Sequence, residues 1–232
     1  MLIDLRGHGE SAKNNRHLLR GAADTTLETA AVDLATTLDS LGLASGPDMI
    51  CGHSMGGKTA LAYLAAATRR EAGTVFANAD LVPAQTWIWD SQPGLVDRTT
   101  ASGEKHSVAS VLDIMGRLDL PMASKNAIVE SLMRDHGLSK GIAQWMTTNV
   151  VPDESGEGFS LAFHLPTANA LFASYSDLDY LPLVASVAAG LNITTPAPRC
   201  VLSAAPWILH QRAWTGKGKD FTLLLCFPPV PG

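Results

Sequence analysis

The chain has 232 residues, of which 46% are hydrophobic and 17% charged, and it carries a formal net charge of −5 with a pI near 5.7. That balance is a folded globular protein's and excludes intrinsic disorder. The acidic surplus argues against a nucleic-acid partner, which needs a basic face, and no apolar run is long enough to span a bilayer.

Residues 1–5 read as a short buried strand, running into the polar, glycine-punctuated loop Asp4-Leu5-Arg6-Gly7-His8-Gly9-Glu10-Ser11. A helix is predicted over about 25–41. Thr25 and Glu28 have capping-box spacing, Leu27, Ala31, Leu34, Leu38 and Leu41 keep one face, and Gly42 is the stop. Met49-Ile50-Cys51 reads as a second buried strand, followed by a helix from just after Ser54 to about Arg70. Thr74–Ala77 has strand composition, but Gln85–Asp90 is the better strand and ends at Asp90. Residues 105–150 hold helix-length segments split at Leu120-Pro121 and at Gly137, with Pro121 suited to a helix N-terminus. An acidic turn at 153–158 precedes a short strand in which Phe159, Leu161, Phe163 and Leu165 alternate with smaller or polar residues. A helical stretch covers about 167–189, Arg199–Ser203 reads as a strand, and Phe221–Phe227 as a last one. Strands alternating with helices imply an α/β fold with a mainly parallel sheet flanked by helices.

Gly52-His53-Ser54-Met55-Gly56 is a Gly-x-Ser-x-Gly string between an apolar strand and a helix. That is the context a nucleophile elbow demands: the serine takes a strained backbone, and a Cβ on either glycine would crowd the strand or helix. Ser54 is the candidate nucleophile. The Met55 N–H, at the helix N-terminus, is the candidate oxyanion donor. His53 is expected to diverge from Ser54 and pack against loops. Lys58 reads as a solvated residue of the first helical turn, with orientation of groups near the site as the alternative. Gly52–Thr59 also spells Gly-x-x-x-x-Gly-Lys-Thr, a phosphate loop, but the elbow generates that string by itself and no magnesium-binding partner is evident. Cys51, Cys200 and Cys226 have no metal-ligand spacing, and Cys51 reads as a buried free thiol. A reducing, intracellular compartment follows, and Met1-Leu2-Ile3 with Asp4 and Arg6 behind it offers no secretory signal.

The loop Asp4–Ser11 is similar to the one after the fourth strand of α/β-hydrolases. Gly52–Met55-Gly56-Gly57-Lys58-Thr59-Ala60 resembles the elbow of the branch called α/β-hydrolase domain-containing protein 11 and its bacterial and plastid relatives. Trp145–Asn149 and Phe172–Tyr175 resemble that branch's cap. The resemblance covers about residues 1–185 and implies a single, partial α/β-hydrolase domain, with core 1–104, helical cap 105–190 and a divergent C-terminal core segment 191–232. It implies a serine hydrolase cleaving a small-molecule ester or thioester through an acyl-enzyme, without metal or organic cofactor, in mitochondria or plastids. In that branch about three strands precede the Arg-Gly-His-Gly loop, and a loop after the third supplies the second oxyanion donor. Here Met1 falls within the fourth strand, so that donor is expected to lie outside the chain.

A serine needs a histidine to take its proton and an acid to hold the histidine, and this fold orders them Ser, Asp or Glu, His. Asp90, at the end of the strand after the elbow, is the candidate acid, with Asp80 as fallback if residues 74–79 are the true strand. His210 alone is late enough to be the base and keep the order. His164 is the other histidine that could face a cleft, and His8 has a structural reading. His17, His106 and His136 have no supporting context. Met115, Met122, Met133 and Met146 read as helical core, with an adaptable acyl pocket as the alternative. A second reading of the whole is a catalytically impaired fragment that keeps the elbow, acting as a binding module or arising from an incomplete gene model.

Overall fold

The computed structural model describes residues 1–14, 24–43, 45–98, 107–118, 120, 124–153, 155–156, 158–189 and 199–203. In chain order the helices are α1 (Gly9–Asn14), α2 (Leu27–Ser40), α3 (Met55–Arg69), α4 (Val108–Arg117), α5 (Lys125–Arg134), α6 (Lys140–Thr147), α7 (Leu165–Asp177) and α8 (Leu181–Ala188). The strands are β1 (Met49–His53), β2 (Gln85–Trp89), β3 (Val150–Pro152), β4 (Phe159–Leu161) and β5 (Arg199–Ser203). The chain divides into two compact units, one of residues 1–25 with 96–176, the other of residues 26–95 with the chain from Asp177 onward.

The second unit carries the sheet, in the order β1-β2-β5 with every pairing parallel. α2 before β1 and α3 between β1 and β2 follow the α/β pattern the sequence implies. β2 alternates as a strand with one buried face should: Thr86 and Ile88 are buried, and their neighbours less so. β1 differs from expectation. Met49, Cys51 and His53, which share one face of the strand, are exposed, while Ile50 and Gly52 on the other face are partly covered; among the described residues β1 is an edge strand. The Cys51 thiol is therefore free and exposed instead of buried.

α3 packs against β1 and β2, and α2 packs against α3. The α3 sequence explains its position. Nearly every residue from Gly57 to Ala65 is glycine, alanine, threonine or leucine, so the helix can approach on all sides, and all of them are buried. Tyr63 is fully buried there and meets Phe76 edge-on, with ring centroids 5.2 Å apart. Leu61 and Leu64 are fully buried as well, each removal from water stabilising by about 1.5–3 kcal/mol.

Thr26, not Thr25, caps α2. Its hydroxyl accepts from the Thr29 N–H (3.1 Å), and the Thr29 hydroxyl accepts in return from the Thr26 N–H (2.9 Å). Thr25–Glu28 and Thr26–Thr29 share the required spacing, and Thr25 is the residue that turns inward. The helix stops as read, at Gly42 (φ 74°), with Leu43 N–H donating to Leu38 O and Gly42 N–H to Asp39 O, each at 2.9 Å. Val75–Ala77 and Ala79–Leu81 are 3-10 turns, so Thr74–Ala77 is no strand and Gln85–Trp89 is the one that follows α3.

In the first unit, Met1–Leu5 does not form the strand expected of it. It joins no ladder among the described residues, and Met1 and Leu2 lie open to solvent. A strand needs a neighbour to take its backbone groups, and apolar composition alone does not supply one. The following loop instead ties itself down. Asp4 Oδ2 accepts from Glu10 N–H (2.9 Å), the Ser11 hydroxyl donates to Asp4 O (2.9 Å), and α1 starts there. His8 stacks on Phe163 at 5.9 Å, and His164 N–H donates to Gly7 O at 2.7 Å.

The helices α4, α5 and α6 each begin at a serine. Ser107, Ser124 and Ser139 accept from the N–H three residues on. Ile114, Met115, Ile128, Leu132, Leu138, Ala143, Met146 and Val150 make their common core. Met115 and Met146 are thus packing residues, Met133 is exposed, and Met122 lies outside the described residues. β3 and β4 form an antiparallel hairpin across the acidic turn, and Leu165 opens α7 instead of continuing β4. No helix among the described residues is long and apolar enough to cross a membrane.

The Thr26 cap gives a first test. Thr26→Ala removes one half of the reciprocal pair and should cost about 1 kcal/mol, read as a lower urea midpoint at unchanged slope.

Candidate active site at the nucleophile elbow

β1 and α3 meet at one residue. Ser54 has φ 52° and ψ −118°, a left-handed backbone that serine rarely adopts, and it is exposed. Its N–H donates to Trp89 O on β2 at 2.9 Å, and its own carbonyl accepts from Gly57 N–H (3.0 Å) and Lys58 N–H (3.2 Å). The turn therefore holds Ser54 through its backbone and leaves the side chain to solvent. The Met55 N–H, first in α3, makes no hydrogen bond among the described residues. It is a helix-N-terminal donor available to a developing negative charge.

The glycines divide differently from the motif. A Cβ on Gly52 would run into the Gly56 carbonyl and come 2.6 Å from Gly57 N, so only glycine fits beneath the turn. A Cβ on Gly56 would meet nothing within 4 Å. The expectation that both motif glycines are crowded holds for Gly52 alone. The second crowded position is Gly57, whose Cβ would lie 2.8 Å from Ser91 Cβ and 3.1 Å from Ile88 Cγ2.

Asp90 stands beside Ser54. His53 and Trp89 are register partners of β1 and β2, so Ser54 and Asp90 are the next residues off two adjacent strand ends. Asp90 also has a left-handed backbone, φ 45°. Its Oδ1 is buried with no hydrogen-bond partner among the described residues, and its Oδ2 is 3.7 Å from His53 Nε2. A buried, unpaired carboxylate oxygen is expensive and calls for a donor. The imidazole of His53 is mostly exposed, so it leans toward Asp90 instead of packing against loops. Asp80, the fallback acid, sits in a 3-10 turn that does not follow a strand, its N–H on Asn78 Oδ1 at 3.0 Å.

Of the histidines considered, His210, His17 and His106 lie outside the described residues. β5 ends at Ser203, level with Trp89. β5 thus ends at the same carboxyl end of the sheet as β1 and β2, two strands across from Ser54. In the other unit His164 Nδ1 is 2.8 Å from Thr167 Oγ1 and its carbonyl accepts from Ala168 N–H, which makes it a helix-start residue. His8 keeps the structural role read for it, with Nδ1 3.1 Å from Arg6 O. No group of three or more potential metal-ligating residues gathers among the described residues.

Lys58 is the residue that sequence reasoning misplaced. It is fully buried, and its ammonium donates to Gly94 O at 2.6 Å. Burial pulls it down to about 8, while the carboxylates of Asp179 and Asp177 act in the opposite direction. A signal was available: α3 has no polar face, and a lysine on a helix buried all round cannot be solvated.

Two outcomes test this geometry. Gly57→Ala should destabilise by about 1–3 kcal/mol, whereas Gly56→Ala should be neutral or gain up to about 1 kcal/mol of helix propensity, both read by urea unfolding. Lys58 binds its proton less tightly in the folded chain than at the ordinary value of 10.5, so its contribution to stability rises as pH climbs from about 8 to 10.5. Subtracting the stability profile of Lys58→Met from that of the wild type should isolate that rise.

A family model described as Hydrolase_4, serine aminopeptidase, S33, matches residues 1–143. No curated protein matches the chain. Among solved structures, one titled "Marine microorganism esterase" aligns with TM-score 0.55 at 20% identity, over 78% of this chain and 59% of its own. Two structures of a hypothetical protein from Pseudomonas aeruginosa PAO1 align at 18% identity with TM-scores of 0.40 and 0.41, over 78% and 79% of this chain and 56% and 58% of theirs. The chain thus spans well under two thirds of the length of these structures. The fold is the α/β-hydrolase fold, and with more than half of its residues matched by that model, the chain belongs to the Hydrolase_4 (serine aminopeptidase, S33) family of α/β-hydrolases.

Proposed function

We propose that the protein is a serine hydrolase of small-molecule carboxylic esters or thioesters, working through an acyl-enzyme on Ser54. The observation that carries this reading is the pair of left-handed residues, Ser54 and Asp90, at neighbouring strand ends, the second with a buried oxygen that has no hydrogen-bond partner among the described residues. Ser54 Oγ attacks the acyl carbonyl while a histidine takes its proton. The carbonyl oxygen gains charge and draws on the Met55 N–H. The same histidine returns the proton to the departing alcohol or thiol, and water then releases the acyl group by the reverse sequence. Asp90 Oδ1 holds the histidine's other N–H and steadies the imidazolium. His210 is the candidate base, keeping the order Ser54, Asp90, His210. A second reading assigns the base to His53, favoured by its 3.7 Å approach to Asp90.

The ester preference also draws on the Gly57-Lys58-Thr59-Ala60 continuation, which resembles the domain-containing protein 11 branch, and on the esterase title of the structure sharing this fold. A fluorophosphonate probe should label the wild type and not Ser54→Ala. Hydrolysis of p-nitrophenyl esters should fall about a thousandfold or more in Asp90→Asn. It should fall similarly in His210→Ala and stay near wild type in His53→Ala; the reverse pattern would move the base to His53. A folded wild type that neither labels nor hydrolyses would leave the non-catalytic binding reading in its place. Faster cleavage of aminoacyl anilides than of esters or thioesters would replace the acyl class proposed.

A further inference from the structure

Three residues separate Asp90 from Gly94, and the elbow's own helix grips both ends of the stretch from Ser91 to Gly94. Gly57 lies against Ser91, with no room for a Cβ between them, and Lys58 reaches past it to Gly94 O at 2.6 Å. The far side of the loop is held as well. Tyr180 N–H donates to Pro93 O at 2.9 Å, Gly94 packs on Leu181, and Gln92 Nε2 closes the loop on Leu95 O at 2.6 Å. A fully buried ammonium on a helix made otherwise of small and apolar residues is costly unless acceptors meet it, and Gly94 O is one that does. The loop has no strand or helix of its own, and Ser91 and Gly94 are both held to α3.

We infer that Lys58 is a positioning residue, latching the loop that follows Asp90 onto the elbow helix so that the acid and the nucleophile are held by one element. The inference rests on the reading of Ser54 and Asp90 as catalytic partners, and it deepens that reading. Lys58 touches neither substrate nor reacting atoms. It acts by fixing where the Asp90 carboxylate stands relative to Ser54, and small misplacements of a catalytic group cost large factors in rate.

The test compares wild type with Lys58→Met, which keeps the buried volume and removes the donor. Backbone hydrogen exchange at Ser91, Gln92, Gly94 and Leu95 should speed about tenfold or more while protection across α3 is unchanged. Ester hydrolysis should lose about 10–100-fold in kcat with KM within about twofold, since binding of the acyl group is left alone. Gly94→Val, which pushes the same loop from the Leu181 side, should do the same, and the double variant should be no worse than the single ones. This second variant carries the test if Lys58→Met does not fold. Unchanged exchange in the 91–95 loop, an equal loss in kcat/KM through KM alone, or additive losses in the double variant would overturn the latch. Exchange is read without turnover. A wild type that never labels with fluorophosphonate, combined with a loop freed in Lys58→Met, would sink the catalytic reading and leave the latch standing.

Discussion

Everything about the site follows from one backbone conformation. Ser54 sits at positive φ between a strand that ends and a helix that begins, and L-residues resist that conformation by about 1–3 kcal/mol. The cost is met locally by three contacts. The Ser54 N–H finds Trp89 O, the Ser54 carbonyl closes the first turn of α3, and the carbonyl of Gly56 lies over Gly52 where any side chain would collide. Remove the glycine and the turn cannot close; open the turn and Met55 loses its place at the helix start. The strained serine is also what turns the chain sharply enough for α3 to lie back against β1 and β2.

Most of this was legible from sequence because it is local. A Gly-x-Ser-x-Gly string with an apolar run before it and a helical pattern after it specifies strand, turn and helix within twenty residues, and the elbow, α3 and β2 all stand where the pattern put them. Asp90 is singled out in the sequence by its place at the end of the strand after the elbow, and it follows β2 directly, but nothing in that pattern signals its left-handed backbone. What composition could not reveal was neighbourhood. Met1–Leu5 has strand composition and no ladder, Cys51 has apolar neighbours and an exposed thiol, and Thr25 has the spacing of a cap one residue away from the true one. Each of these depends on which other segment lies alongside, and spacing along one chain says nothing of that.

Lys58 shows the same limit from the other side. Charge placed it in water, yet its environment is set by the absence of any polar face on α3 and by a carbonyl 36 residues downstream. The pairing of His53 with Asp90 was hidden for a related reason. Neighbouring residues on an elbow point apart, but a parallel strand in register brings a third residue to the one that points away.

The backbone of Asp90 has a consequence for the kinds of acid this position can hold. At φ 45° asparagine and aspartate are favoured, because a short polar arm can fold back on its own peptide, although Arg70 shows that a longer side chain is tolerated at φ 50°. A glutamate at position 90 would keep the charge and give up that local support, so lengthening the arm weakens the turn as well as moving the carboxylate. Exchange between the two acids, nearly neutral at a surface site, here carries a backbone cost separate from any chemistry.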